Sequence, residues 1–347
     1  MELKKEMETQ VDEIMKFYML QVRYHENMGK IDKIYTDQGV FALKSIDPKI
    51  GMDFIRNVQK LYQRGYNRIV PIFMTMDNRY GVLNNGKLYY LMPWLLDDNN
   101  SERNEKHKHM FRELARMHTL TSKEIEVKKE EREAHYEKTV ELWNKQKEFL
   151  EEFVQASERK WYMSPFELLY CSYYHDISQA LTFSIKKLEE WYEKTKDSEK
   201  LRTVVTHGKV SISHFLYDDR GYGHFINFED SKTAPVHFDL LPFIVNSCKT
   251  YPIRHDDAID WLYTYLKYFS LKEEEMMLFL SYLAHPGAII SSVEHYHEKR
   301  NQRTEIMYMK NLQRNYWTLK NVEYVVMRID EIEKQKKAAA AAAAQQD

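Results

Sequence analysis

Thr206-His207-Gly208-Lys209-Val210-Ser211-Ile212-Ser213-His214-Phe215-Leu216-Tyr217, followed by Phe225-Ile226-Asn227-Phe228-Glu229, is the stretch on which the reading of this chain turns. Val204-Val205 just before it, Phe215 to Tyr217 inside it and His224 to Phe228 after it read as short strands. Asp219-Arg220-Gly221 supplies the turn between the last two. A small β island therefore interrupts a sequence that is helical on either side.

The composition sets bounds on what surrounds that island. At 347 residues the chain can bury one large core or two smaller ones. Ten glycines and eight prolines are few for that length, and charged residues make up 30%, so long helices should dominate. Fifty-three acidic against 51 basic side chains leave a net charge of -2, which gives no general reason to expect nucleic acid or acidic membranes as partners. Cys171 and Cys248 sit in apolar surroundings without metal-site spacing, and suit buried thiols in a reducing cytoplasm. Residues 2–6 are charged and lack an apolar signal core. With no apolar run near the ~18 residues that a bilayer requires, no transmembrane segment is expected.

Upstream of the island, Val40 to Ile46 reads as a strand closed by Asp47-Pro48. Phe54, Ile55, Val58, Leu61 and Tyr62 recur at helical spacing up to Gly65. Ile69 to Thr75 reads as a strand, and Tyr80 to Leu83 with Leu88 to Leu91 as a hairpin around Asn85-Gly86. Met92-Pro93-Trp94 should break that last strand. Beyond it, helices are expected around Phe111 to His118, from a Thr121-to-Glu124 capping box through Val154, and from Ser164-Pro165-Phe166-Glu167. After the island they resume near Asp256 and after a Ser270-to-Glu273 box, and run to about Ile332. Ala338 to Ala344 reads as a frayed helix or disordered tail. The expected division is 1–92, 93–332 with the segment 206–230 inside it, and a tail at 333–347.

Four motifs in this order resemble those of aminoglycoside and choline phosphotransferase-like kinases. Phe41-Ala42-Leu43-Lys44 is similar to the strand whose lysine holds nucleotide phosphates. Leu114 to His118 looks like the helix before the catalytic segment. The opening stretch resembles the catalytic core, and Val236-His237-Phe238-Asp239-Leu240-Leu241 the segment whose Asp supports the catalytic loop. Leu61 to Tyr66 and Tyr89 to Trp94 look closest to the kinase-like spore-coat proteins of endospore-forming bacteria, of the CotS and YsxE type. The resemblance implies an α+β, bilobal protein-kinase-like fold with a small β-rich N-lobe and a large helical C-lobe. It also implies a role in the spore coat after synthesis in the mother-cell cytoplasm, with coat or coat-morphogenetic proteins as partners.

Kinases of that superfamily carry His-Gly-Asp, an Asn five residues after the Asp, and a second Asp before an aromatic residue. The corresponding positions here hold Lys209, His214 and Asn227. Phosphoryl transfer needs charge neutralisation by metal ions, and magnesium takes hard oxygen ligands. Asn227 removes a full negative charge, the His214 imidazole suits softer metals, and the Lys209 ammonium is already protonated and repels cations. Little metal-dependent catalysis is expected from these residues, and no resident metal or cofactor.

Two rescues stay open at the level of sequence. Glu229, on the same face of an extended strand as Asn227, could hold one metal ion. Lys209 could instead supply positive charge for metal-independent nucleotide binding. Lys44 is either a phosphate contact or an exposed strand lysine, since the helix 54–64 offers only Gln59, with Asp53 near its start, where an acid should pair with it. By the resemblance, His207, Gly208 and Asp239 hold the loop's backbone shape and do not touch substrate. The Tyr24-to-Lys33 loop has Gly29 alone. His295-Tyr296-His297-Glu298 and His107-Lys108-His109 read as solvated helix faces, and the 25 tyrosines as packing or interface residues.

Overall fold

The computed structural model describes residues 10–95, 102–299 and 304–344. Its contacts divide the chain into two compact units, Met1–Ser122 with Thr203–Asp239, and Lys123–Arg202 with Leu240–Asp347. The boundary expected at 92–93 falls inside the first unit.

In that first unit β1 (Val22–Asn27), β2 (Ile31–Thr36), β3 (Val40–Ile46), β4 (Val82–Asn84) and β5 (Lys87–Pro93) form an antiparallel sheet in the order β1-β2-β3-β5-β4. Asn85 and Gly86 take φ of 47° and 71°, the left-handed pair that a two-residue hairpin needs. The last five residues of β3 are all buried, because both faces of the strand are covered. Helix α1 (residues 10–16) places Val11, Ile14 and Met15 against Ile34, Leu43 and Leu91. On the opposite face, Phe54 of α2 (Phe54–Gln63) meets the ring of Tyr90 at 5.8 Å. Lys44 lies directly across from Tyr90 in the register and so faces the α2 side.

Two expectations here are corrected. Ile69 to Thr75 is not a strand but a connection with single bridges from Ile69 to Phe225 and from Phe73 to Leu91, since Pro71 has no N–H to give a ladder. Pro93 does not break β5 early: it is the last strand residue, and the Trp94 N–H still donates to the Val40 carbonyl at 3.1 Å.

Helix α3 (Arg103–Thr121) is longer than its apolar repeat indicated. The histidines near its start are not a solvated face. His107 is buried and donates through Nδ1 to the Arg103 carbonyl at 2.6 Å, while His109 packs on the rings of Phe215 and Tyr217. Thr121 does not cap a new helix. It ends α3, its Oγ1 accepting the Val205 N–H at 3.1 Å, and β6 (Lys123–Glu126) follows. The island consists of β7 (Lys200–Thr206) paired with β10 (Lys232–Ala234), and β8 (Phe215–Tyr217) paired with β9 (Gly223–Phe225). The expected strand His224 to Phe228 therefore stops at Phe225.

The second unit is helical. α4 (Lys129–Glu158) and α5 (Pro165–Thr195) bury Trp143, Leu150, Phe166, Ile177 and Leu188 in one core with residues of the later helices. Ser164 caps α5 as its sequence predicts: its Oγ accepts the Glu167 N–H at 3.2 Å, and Glu167 Oε2 accepts the Ser164 N–H at 2.8 Å. α6 (His237–Ser247) and α7 (Asp256–Tyr268) precede α8 (Glu273–Ala284). The expected box at Ser270 is displaced by two residues. The Ser270 carbonyl accepts from Arg202 Nη2, and Glu275 closes back on the Lys272 N–H at 2.8 Å.

α9 (Gly287–Lys299) follows α8 across His285-Pro286. Together they span Glu273–Glu298, a stretch apolar enough by length and composition to cross a membrane, although no such run was expected. Two-thirds of its most apolar window, 67%, is buried within the protein. α10 (Glu305–Ala344) runs past Ile332 through the described alanines, the residue of highest helix propensity. Tyrosines tie these helices together, with Tyr173 stacked on Tyr316 at 3.6 Å and Tyr296 on Phe166 at 3.9 Å, so the His295–Glu298 segment is half core. Both cysteines are free, and burial pushes the Cys248 thiol up to about 11.

His285 stacks on Trp143 at 4.5 Å, with Nε2 3.1 Å from Gln146 Oε1, and burial pushes its pKa down to about 4. The unfolded chain then takes up this proton first, so stability falls as pH drops from the ordinary histidine range towards about 4. Urea unfolding of wild type should show a loss of about 2 kcal/mol over that window that His285→Phe lacks, after discounting for partial exposure. Parallel pH profiles for the two proteins would refute it.

Candidate functional site

Within the first unit, the segment after β7 is held by one buried carboxylate. Asp239, in the first turn of α6, is 1% exposed. Its Oδ2 accepts the His207 N–H at 2.7 Å, its Oδ1 the Gly208 N–H at 2.7 Å, and His118 Nε2 donates to Oδ2 at 3.1 Å. Burial alone would raise its pKa, but the hydrogen bonds from His118 and from the His207 backbone hold it below the usual carboxylate range.

Gly208 has φ of 82°, and a Cβ there would run into the Asp230 carbonyl, so only glycine fits. The His207 ring donates through Nε2 to the Ile226 carbonyl at 2.7 Å, while its Nδ1 accepts the Lys209 N–H at 3.2 Å. Wholly buried, it is held neutral, its pKa below the ordinary value chiefly by desolvation.

The residues at the three altered positions are then placed as follows. Lys209 is exposed. His214 lies in a short 3-10 turn, Ile212–His214, its Nδ1 donating to the Lys209 carbonyl at 2.9 Å and its ring 5.9 Å from that of His207. Burial, opposed by the hydrogen bond to Lys209 and reinforced by the charges of Lys44 and Lys209, lowers its pKa. Asn227 has a left-handed backbone, φ of 66°, which Asn tolerates better than most residues. The strand geometry that placed Asn227 and Glu229 on one face therefore does not hold.

The left-handed turn brings both side chains to Lys44. Lys44 Nζ donates to Asn227 Oδ1 at 2.5 Å and forms an ion pair with the Glu229 carboxylate. The Tyr90 hydroxyl donates to Glu229 Oε1 at 2.7 Å, and its ring lies 5.8 Å from the ammonium. Lys44 is thus neither exposed nor loosely held. Both side chains are nearly buried, at 11% and 10% exposure. Burial raises the Glu229 pKa, but the charge and hydrogen bond of Lys44 and the Tyr90 hydroxyl outweigh it, leaving the carboxyl below its ordinary range. For Lys44, burial is the larger effect and lowers the pKa against the pull of Glu229, with Lys209 and Lys30 lowering it further.

Helix α2 provides no partner: Gln59 donates to the Tyr80 hydroxyl and Asp53 faces solvent beside Arg56. Instead Asn57 of α2 donates to the Ser231 carbonyl at 2.9 Å and fixes the segment that carries Glu229. Sequence reasoning did not single out Tyr90, whose place in an apolar strand reads as packing. Its only signal is the register that sets it across from Lys44.

This donor set does not fit a magnesium ion. The oxygens of Asn227 and Glu229 are turned towards an ammonium, and the remaining groups offer nitrogen. Among the described residues, no group of three or more His, Cys, Asp or Glu side chains gathers in a metal-holding arrangement.

No protein-family model matches the sequence, and no curated protein matches it. Solved structures do. An aminoglycoside phosphotransferase from Alicyclobacillus acidocaldarius is similar with a TM-score of 0.70 at 15% identity, over 93% of this chain and 96% of that one. The AMP-bound spectinomycin phosphotransferase APH(9)-Ia is similar with a TM-score of 0.54 at 13% identity, over 91% of this chain and 97% of that one. At such identities the likeness establishes the fold alone: this chain has the mixed α+β fold of those structures, a β-sheet N-terminal region followed by a large helical C-terminal part.

Proposed function

We propose that the protein is a pseudokinase, a kinase-fold binding or assembly component of the bacterial spore coat that does not carry out metal-dependent phosphoryl transfer. One observation carries the catalytic half of this reading. Asn227, which stands where a metal-binding carboxylate would be, is a neutral amide whose oxygen is bonded to Lys44, and Lys44 forms its ion pair with Glu229. The same ion pair takes up Glu229, the acid that an atypical phosphotransferase would need for its metal. Support for the coat assignment is the resemblance of the Leu61–Tyr66 and Tyr89–Trp94 segments to kinase-like coat proteins. Coat or coat-morphogenetic proteins are the corresponding partners, and the mother-cell cytoplasm and then the coat the corresponding locations.

Thermal unfolding with ATP, with and without magnesium, tests the catalytic half. A ligand at a hundred times its Kd adds about 2.7 kcal/mol to stability, a visible shift. The expected result is no magnesium-dependent shift and no ATP turnover. Stabilisation by ATP alone would identify a metal-independent nucleotide binder using the exposed Lys209. Magnesium-dependent stabilisation with turnover that Glu229→Ala abolishes would overturn the proposal in favour of an active, atypical phosphotransferase.

A further inference from the structure

The turn that joins α4 to α5 leaves an aromatic pair in water. Trp161 is 90% exposed and Tyr162 84%, the highest values for large apolar side chains among the described residues. Their rings meet edge-on at 6.3 Å. Folding is driven mainly by burial of apolar surface, so two projecting rings side by side need another explanation than packing. The ends of two other helices lie beside this turn. The Tyr296 hydroxyl of α9 meets Ser164 Oγ at 2.7 Å, and Glu305, the first residue of α10, accepts the Phe166 N–H at 3.0 Å. Leu168 in the first turn of α5 and Ile306 and Met307 in the first turn of α10 are exposed at the same end of the unit. Its exposed charges are of both signs: Arg159 and Lys160 directly before the rings and Lys310 on α10, with Glu158 and Glu298 as the acids.

We infer that this turn is a membrane-surface anchor, Trp161 and Tyr162 inserting at the headgroup level of a zwitterionic phospholipid bilayer without crossing it. Trp and Tyr each join an apolar ring to one hydrogen-bonding atom, the combination that settles where acyl chains give way to headgroups. The mixed charges around them match a headgroup layer that itself carries both signs, and give no preference for anionic lipid. Five exposed apolar side chains fall far short of the roughly 20–30 residues a side that a stable protein interface takes. Two inserted rings are enough for weak, reversible binding to a bilayer.

The test is co-sedimentation of the full chain with large unilamellar vesicles of phosphatidylcholine, or of phosphatidylcholine and phosphatidylglycerol in equal parts. The two partition coefficients should agree to within about twofold and persist in high salt, because no excess charge drives the binding. Trp161→Ala combined with Tyr162→Ala alters only exposed rings, so urea unfolding should be unchanged while partition weakens at least about tenfold. Phosphatidylcholine brominated on its acyl chains near the headgroup should quench wild-type tryptophan fluorescence. It should leave Trp161→Phe unquenched, since Trp143, Trp191 and Trp261 are buried. No partition into either vesicle, equal partition of wild type and the double variant, or binding confined to the phosphatidylglycerol vesicles overturns the inference. Self-association in sedimentation velocity that the double variant abolishes, without vesicle binding, assigns the rings to protein contact and overturns it too.

Discussion

Asp239→Ala should destabilise the first unit by about 3–5 kcal/mol, because it strands two buried donors and a part-buried one at once. The His207 and Gly208 N–H groups and His118 Nε2 all point at this carboxylate. Each buried donor left without an acceptor costs about 1–3 kcal/mol, and Gly208, confined to positive φ, has little freedom to turn its N–H elsewhere. Asp239→Asn should fall between, since one amide oxygen can serve only part of the set. Denaturant unfolding gives the loss, and amide exchange at His207 and Gly208 localises it; a variant with unchanged exchange at both would refute the assignment. The pH dependence has a fixed sign. With a folded pKa below the unfolded one, Asp239 contributes fully above the ordinary carboxylate range, and the contribution is lost as pH falls through the lower folded value.

Lys44→Met should cost about 3–5 kcal/mol, as breaking a buried pair on one side does, because it leaves the Glu229 carboxylate nearly buried without its ion-pair partner, held by the Tyr90 hydroxyl and its own backbone N–H. Glu229→Gln alone should be comparably harmful, leaving Lys44 charged beside Lys209 and Lys30. The double variant Lys44→Met with Glu229→Gln should recover most of the loss, since no charge is then buried and Gln still accepts from Tyr90. A double-mutant cycle should therefore give a coupling of at least about 2 kcal/mol, and additive single effects would show that the pair does not act as one. Acid should act in the same sense as at Asp239. Glu229 is held below its ordinary range, so the pair's contribution is intact above that range and disappears as pH falls through the folded value.

Much of the local structure was legible because it obeys local rules. The left-handed demand of the β4–β5 hairpin is met by Asn85-Gly86, and Ser164, Pro165 and Glu167 state the start of α5 residue by residue. The errors have a common origin. Thr121-to-Glu124 and Ser270-to-Glu273 both match the capping pattern, yet Thr121 Oγ1 is engaged by Val205 and the Ser270 carbonyl by Arg202, partners 84 and 68 residues away. A four-residue pattern cannot register such competition. His107 looked solvated for the same reason, since its burial depends on what lies over α3.

The amino-acid sequence by itself determined which chemical groups are present: an ammonium at 209, an imidazole at 214 and an amide at 227 follow from the residue identities alone, as do the helix and strand periods. Only the tertiary structure decided how those groups are used. Glu229 is the counter-ion of Lys44, 185 positions away, because the β3–β5 register aims Lys44 at α2 and a left-handed Asn227 turns the following residues inward. Side-chain identity is a property of one position, whereas a buried charge is satisfied by whichever opposite charge the assembled chain brings within reach, and no local pattern encodes that distance.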